Sequence, residues 1–359
     1  MTPAPERDLV IIGAGLLGSA LSAEALRQGL TTCCVGPDEP SRSLAAGSLF
    51  RLNTWSKPGR SSSVPTVETD QHPTLSRELK ARDPSRFPVA SALGDVSREL
   101  LHRCGVERAP GLVRRVDATA TGVRVHVGRR VLRARAALIC LGWGPLRVEL
   151  ERPAATKLVR AHALDFTHAL HALVDDTLRT PTIAVVGAGP SALSFLEACV
   201  GVGPSPHVQL DAHQHVLWLS GTHAPPDPRT GVGRMFQARY APLFRQLEKD
   251  ARVTRVPHRV TDARRSKGRW SLTTSDGVQQ QVDDLVWCGG FLPPLGLLGP
   301  KHVPLVQRGV HLALQRTHRP VFQVGPALDQ LGLADWDTGP FCEWFEKGKR
   351  LLTTLKRAR

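Results

Sequence analysis

The chain has 359 residues, 41% hydrophobic and 22% charged, enough for two domains with substantial cores. No apolar run reaches the ~20 residues that span a bilayer, and the first residues lack the apolar core of a signal peptide, so a cytoplasmic protein with no membrane partner is expected. The formal charge of +15 argues only weakly for nucleic acid: basic residues are scattered, only nine of the 47 are Lys, and 5% aromatic content provides no stacking platform for bases.

In chain order, the first informative segment is Asp8-Leu9-Val10-Ile11-Ile12-Gly13-Ala14-Gly15-Leu16-Leu17-Gly18. It reads as an apolar strand, a glycine-rich turn, then a helix over 19–28, with a second strand at 31–35. A GxGxxG run is weak alone, but this order of elements is the context that gives it meaning. The first glycine permits a tight turn, the second lets backbone approach a pyrophosphate, and the third lets helix pack on strand. The anion then rests on free N–H groups at the positive end of the helix dipole.

Residues 37–92 are rich in Pro, Ser and Arg and show no steady periodicity, which marks a functional or disordered stretch. The island Leu49-Phe50-Arg51-Leu52-Asn53-Thr54-Trp55 within it suggests an ordered, ligand-contacting loop. A helix follows, with Val96, Leu100, Leu101 and Cys104 at helical spacing. Short strands are expected over 111–141: Val123, Val125 and Val127 alternate with Arg124 and His126. The last of them, Ala136-Ala137-Leu138-Ile139-Cys140-Leu141-Gly142, is a buried strand ending in glycine. A helical linker is expected around 164–178.

The glycine pattern then returns as Thr182-Ile183-Ala184-Val185-Val186-Gly187-Ala188-Gly189-Pro190-Ser191-Ala192, followed by a helix over 193–200. Alanine at the third glycine position is a known variant. The next strand, 215–219, leads into Ser220, with no Asp or Glu for a ribose hydroxyl and no Arg for a phosphate. Residues 270–282 read as a hairpin about Ser275-Asp276-Gly277, and Leu285-Val286-Trp287-Cys288-Gly289-Gly290 repeats the strand-to-glycine pattern of 138–142. A strand at 321–325 and a helix opened by Gly339-Pro340 close the chain. The fold class is therefore α/β, with two Rossmann-like dinucleotide-binding domains and an internal duplication.

Seven cysteines form no CxxC pair, which removes a dithiol redox site and a zinc site of that pattern. Fourteen histidines include His168 and His171 at i, i+3, but no carboxylate completes a ligand set, and no metal is expected.

With these motifs in place, the chain resembles the two-dinucleotide-binding-domain flavoproteins, most nearly the flavin-containing and N-hydroxylating monooxygenases. The likeness rests on the loops at 13–18 and 187–192 and on the strand ends at Gly142 and at Cys288-Gly289-Gly290-Phe291. It implies an FAD domain (1–165), an inserted NAD(P) domain (166–290) and a return to the FAD domain (291–359). It also implies FAD and NADPH as cofactors (NADH being the other possibility), with O₂ and a small metabolite, oxygenated at a nucleophilic N or S or at a carbonyl, as substrates. A homodimer is the default assembly.

By the same likeness Gly13, Gly15, Leu17 and Gly18 would hold the FAD pyrophosphate and Asp38 its ribose. Arg51, Leu52, Asn53 and Trp55 would lie along the isoalloxazine, Asn53 and Arg51 being the catalytic candidates. Gly142 and Gly290 would flank the cofactors, and the helix start at Gly339 would face the flavin. Gly187, Gly189, Pro190, Ser191 and Ala192 would hold the nicotinamide cofactor's pyrophosphate. Ser220, Thr222 and His223 could serve its phosphate, with Arg234 and Arg239 as further candidates. The chain departs from the family pattern in having Gly36 where an acidic ribose ligand usually stands, Gly325-Pro326 in place of a Gly-Asp pair, and no FxGxxxH linker. Two alternatives stand beside the monooxygenase reading: a flavin reductase or oxidase without CxxC, and a degenerate, non-catalytic flavoprotein.

Overall fold

The computed structural model describes residues 7–36, 75–82, 89–141, 146–163, 180–202, 209–221, 231–290, 321–323 and 340–358. They fall into two compact units. The described residues up to 141 and from 321 onward form the first, and 146–290 form the second.

The first unit is built on β1 (Arg7–Ile12), flanked in parallel by β2 (Thr32–Gly36) and β6 (Arg130–Ile139). Its sheet order is β3-β2-β1-β6-β5-β4, where β3 is Glu107–Pro110, β4 is Val113–Ala118 and β5 is Val123–Val127. A last strand, β14 (Val321–Gln323), pairs parallel with the carboxyl end of β6. β6 has two roles in one strand. Its 130–134 half pairs antiparallel with β5, and its 134–139 half pairs parallel with β1. The polar strand β3 was not legible in the sequence; a bidentate Arg7–Glu107 pair ties it to the sheet, and as an edge strand it tolerates Pro110.

Helix α1 (Leu16–Arg27) is buried at every position from 16 to 25, so it needs cover beyond the sheet. Helix α2 (Leu75–Arg82) packs on α3 (Ala90–Arg103), which in turn packs on α1 through a Ser97–Ser19 hydroxyl hydrogen bond of 3.0 Å. The carboxyl-terminal helix α7 (Pro340–Arg357) also packs on α1; Gly348 leaves room for Leu21 at the crossing. Residues 75–82 are thus helical, although the sequence there shows no steady period. Asp8 pins the approach to β2, accepting from the Thr31 amide and hydroxyl, both at 2.8 Å.

The second unit repeats this plan. Its parallel sheet runs β13-β7-β8-β9, from Asp284–Trp287, Thr182–Val186, His215–Leu219 and Val253–Val256. A separate antiparallel sheet, β10-β11-β12, comprises Val260–Ser266, Arg269–Thr274 and Gln279–Val282. β11 and β12 are the expected hairpin, closed by the Thr274 amide donating to Val278 O at 2.9 Å. β12 and β13, separated only by Asp283, correspond to the two halves of the unbroken β6. Residues 146–163, grouped by the sequence with the first domain, belong to this unit: α4 (Pro153–His162) packs on β10, and Arg152 pairs with Asp262. The expected linker at 164–178 lies outside the described residues.

Helices α5 (Pro190–Cys199) and α6 (Gly231–Leu247) cover one face of the parallel sheet around Phe195, Tyr240 and Trp218. Between them lies a buried ion pair, Arg239–Glu197, with both side chains under 5% exposed. Removing Glu197 takes from the buried Arg239 the carboxylate that both of its terminal nitrogens meet. Glu197→Ala should therefore lower the unfolding free energy by about 3–5 kcal/mol in urea denaturation; a loss below about 1 kcal/mol would show that the pair is effectively solvated.

Candidate dinucleotide cradles

Both glycine loops sit at the carboxyl end of an inner strand that has a parallel neighbour on each side, and their backbone geometry matches bond for bond. Gly13 N donates to Val35 O at 2.8 Å, and Gly187 N donates to Leu219 O at 3.0 Å. On the other side Cys140 N donates to Ile12 O and Cys288 N to Val186 O, each at 2.7 Å. The first glycine is thus pressed between two strand ends. Its φ is +113° in the first loop and +125° in the second. A Cβ at either would lie 2.9 Å from the carbonyl carbon of Cys140 or Cys288, and nearer still to its oxygen. Only glycine meets both demands.

The second glycine has the opposite environment. At Gly15 and at Gly189 none of the described residues lies within 4 Å of where a Cβ would begin. Each is the N-cap of its helix, neither helix start has a side-chain cap, and neither has an acidic residue in its first turn. The first intrahelical bonds are Ser19 N to Gly15 O and Leu193 N to Gly189 O, so the preceding amides are not consumed by the helix. Open space above uncapped N–H groups is what a pyrophosphate requires, and the residues present fit one in each cradle. Leu17 is buried, so its contribution would come from the backbone.

The third position differs between the two. A Cβ at Gly18 would lie 3.0 Å from the carbonyl carbon of Gly13 and closer to its oxygen, so the first cradle demands glycine there. The second holds Ala192, fully buried, and the Gly187 carbonyl instead accepts the Trp218 indole N–H at 2.8 Å. The Tyr240 hydroxyl donates to Pro190 O at 3.2 Å, tying α6 to the start of α5. Neither Trp218 nor Tyr240 was singled out from sequence, where each reads simply as a core aromatic.

The strand ends next to the loops carry the remaining expected ligands. Gly36 abuts the first loop: a Cβ there would come 2.5 Å from that of Ala14. The missing ribose carboxylate therefore reflects a position with no room for a side chain. Ser220 holds the matching place in the second unit, is 2% exposed, and accepts from Arg255 Nε at 3.1 Å. Arg239, a phosphate candidate from sequence, is committed to Glu197 and stacks on Tyr240, so it is not available for that role. Gly290 follows β13, none of the described residues lies within 4 Å of where its Cβ would begin, and its carbonyl accepts from Arg147 N at 2.9 Å. Asp38, Arg51, Leu52, Asn53, Trp55, Gly142, Thr222, His223 and Gly339, like Gly325-Pro326, lie outside the described residues, as does the side chain of Arg234.

The described cysteines form no disulfide, and all but Cys104 are buried. Burial pushes the Cys33 thiol up to about 12 and that of Cys34 to about 11, and raises Cys140 and Cys199 as well. Thiols held protonated in this way are poor nucleophiles. Among the described residues no group of three His, Cys, Asp or Glu could hold a metal, and no helix is long and apolar enough to cross a membrane.

Each unit thus carries a glycine cradle at the end of an inner strand flanked by two parallel neighbours, the arrangement of a pair of Rossmann-like units. A family model described as FAD-NAD(P)-binding matches residues 211–292. Among solved structures, the cadaverine monooxygenase DfoA from Erwinia amylovora, bound to FAD, is 15% identical with a TM-score of 0.69, covering 98% of this chain and 95% of its own. A flavin monooxygenase mutant from Stenotrophomonas maltophilia is 17% identical with a TM-score of 0.61, and the thioredoxin reductase of Lactococcus lactis is 14% identical with 0.62; each match covers 98% of both chains. At these identities the likeness is one of fold. No curated protein matches the chain in sequence.

The cradle geometry separates two kinds of glycine. Gly13→Ala and Gly187→Ala should each cost about 2 kcal/mol or more of stability, from strain and overlap together, while Gly15→Ala and Gly189→Ala should stay within about 1 kcal/mol of the parent. Equal losses at all four positions, in thermal or urea unfolding, would contradict the assignment. Native-state alkylation at neutral pH, read by peptide mass spectrometry, should leave Cys33, Cys34, Cys140, Cys199 and Cys288 unmodified; labelling of any of them would contradict its burial.

Proposed function

We propose that the chain binds FAD in the first cradle and NADPH in the second, and is a monooxygenase that oxygenates a nucleophilic nitrogen or sulfur of a small metabolite. The observation that carries the cofactor reading is the pair of uncapped helix starts beneath open glycines. The overall reaction would consume NADPH, a proton, O₂ and substrate, and release NADP⁺, water and the oxygenated product.

Bound flavin supplies the redox and oxygen chemistry, so no protein nucleophile is compulsory. The protein's part is to hold and orient. Amides at the start of α1 would receive the FAD pyrophosphate, and Gly15 would let it approach without a steric stop. The start of α5 would do the same for NADPH, held in place by the Trp218 bond to Gly187 and the Tyr240 bond to Pro190. Pro190 at the first helical position fixes φ there without losing an intrahelical bond. The sequence offers no CxxC pair to take electrons onward, which favours oxygen as acceptor over a dithiol.

Three linked measurements test the reading. Protein reconstituted with FAD should be yellow, and anaerobic NADPH should bleach it. Oxygen uptake should then rise with an amine or thioether substrate that mass spectrometry finds one oxygen heavier. Gly15→Ala should abolish FAD retention, whereas Gly189→Ala should stay yellow but resist bleaching. Protein that never takes up FAD would leave the non-catalytic alternative, and oxygen turned over to peroxide with every substrate offered would leave the oxidase or reductase.

A further inference from the structure

We infer that Arg255, a strand away from the position where sequence patterns look for such a residue, is a phosphomonoester ligand that makes the second cradle select NADPH over NADH. The inference rests on the reading of that cradle as the nicotinamide-cofactor site. In a Rossmann unit the adenosine ribose lies at the end of the strand following the glycine loop, which here is the end of β8. An acidic residue at that place would accept from the 2′-hydroxyl and repel a 2′-phosphate. The chain has Ser220 and Gly221 instead.

Arg255 lies on β9, in register with Trp218 on β8. Two contacts fix its guanidinium. Its carbon is 5.1 Å from the centroid of the Trp218 ring, and its Nε donates to Ser220 Oγ at 3.1 Å. The serine hydroxyl turns its own hydrogen toward the Gly221 or Val256 carbonyl, at 3.3 and 3.5 Å, which leaves its oxygen free to accept. Trp218 is in turn locked to Gly187 of the loop. A run of contacts thus connects the pyrophosphate cradle to an exposed, oriented cation at the ribose end.

Among the described residues no carboxylate pairs with the terminal nitrogens of Arg255, in contrast to Arg152, Arg239, Arg252 and Arg269 of the same unit. Arg259 is a near neighbour of this strand end: its Cβ lies 3.9 Å from where a side chain on Gly221 would begin, and the residue is exposed. A planar, pre-oriented fork suits the dianionic oxygens of a 2′-phosphate, and a ribose hydroxyl gains little from it.

Titration calorimetry with the FAD-loaded protein should find NADPH bound at least tenfold tighter than NADH, with adenosine 2′,5′-bisphosphate competing against NADPH. Arg255→Ala should weaken NADPH by about 10- to 100-fold, the size of one charge-assisted hydrogen bond, and leave NADH within about twofold. Ser220→Ala, which frees the guanidinium without removing it, should weaken NADPH by a smaller factor in the same direction. Equal weakening of both dinucleotides by Arg255→Ala, or of neither, would overturn the assignment while leaving the cradle intact. Parent protein that binds neither dinucleotide would overturn the cofactor reading itself, and the inference with it.

Discussion

Each unit of this protein is organised around a glycine wedged between two parallel strand ends. Gly13 and Gly187 donate to the strand on one side and abut a carbonyl on the other, with positive φ in both cases. That contact sets how far the loop can rise before the helix begins, and so where the helix start presents its amides. If either glycine acquired a side chain, the loop would have to lift off the neighbouring strand, and the open space at Gly15 or Gly189 would change shape with it. The anion site is therefore a consequence of strand packing, and no side chain needs to build it.

The two cradles reach this geometry with different packing. In the first, Gly18 lets α1 lie directly on the Gly13 carbonyl, and α1 is then sealed by α3 on one side and α7 on another. In the second, Ala192 holds that place, and the freed carbonyl is satisfied by the Trp218 indole. A buried carbonyl needs a partner, and a tryptophan supplies one while filling the volume beside it. The same tryptophan gives Arg255 a face to stack on, so a packing solution at the loop also shapes the ribose end of the site. Duplication is plain in the order of the strands, yet the copies have diverged: β6 runs unbroken where β12 and β13 are parted at Asp283.

Charge is distributed along similar lines. Of the basic residues in the described regions, many are spent on structure: Arg7 on Glu107, Arg152 on Asp262, Arg239 on Glu197, Arg252 on Asp250. The high net charge is thus partly a matter of arginines holding strands and helices together. Arg255 differs: among the described residues its terminal nitrogens meet no carboxylate, and it stands at the strand end where the proposed 2′-phosphate would lie.

The α/β class, the two glycine loops, the hairpin at 270–282 and the echo between 138–142 and 285–290 were legible in the chain alone, because strand alternation and glycine spacing are local properties. The sequence could not show that Gly36 has no room for a carboxylate, since the obstacle is Ala14, more than twenty positions away. Nor could it tell that Arg239 belongs to Glu197 or that Arg255 reaches Ser220: each pairing joins residues on separate elements, and only the register of β8 with β9 and the packing of α6 on α5 decide which arginine is buried in an ion pair and which is left facing solvent. The polar strand β3 escaped the sequence for the same reason, because what holds it is a parallel ladder to β2 with an Arg7–Glu107 pair beside it, and a half-exposed edge position leaves no periodic mark.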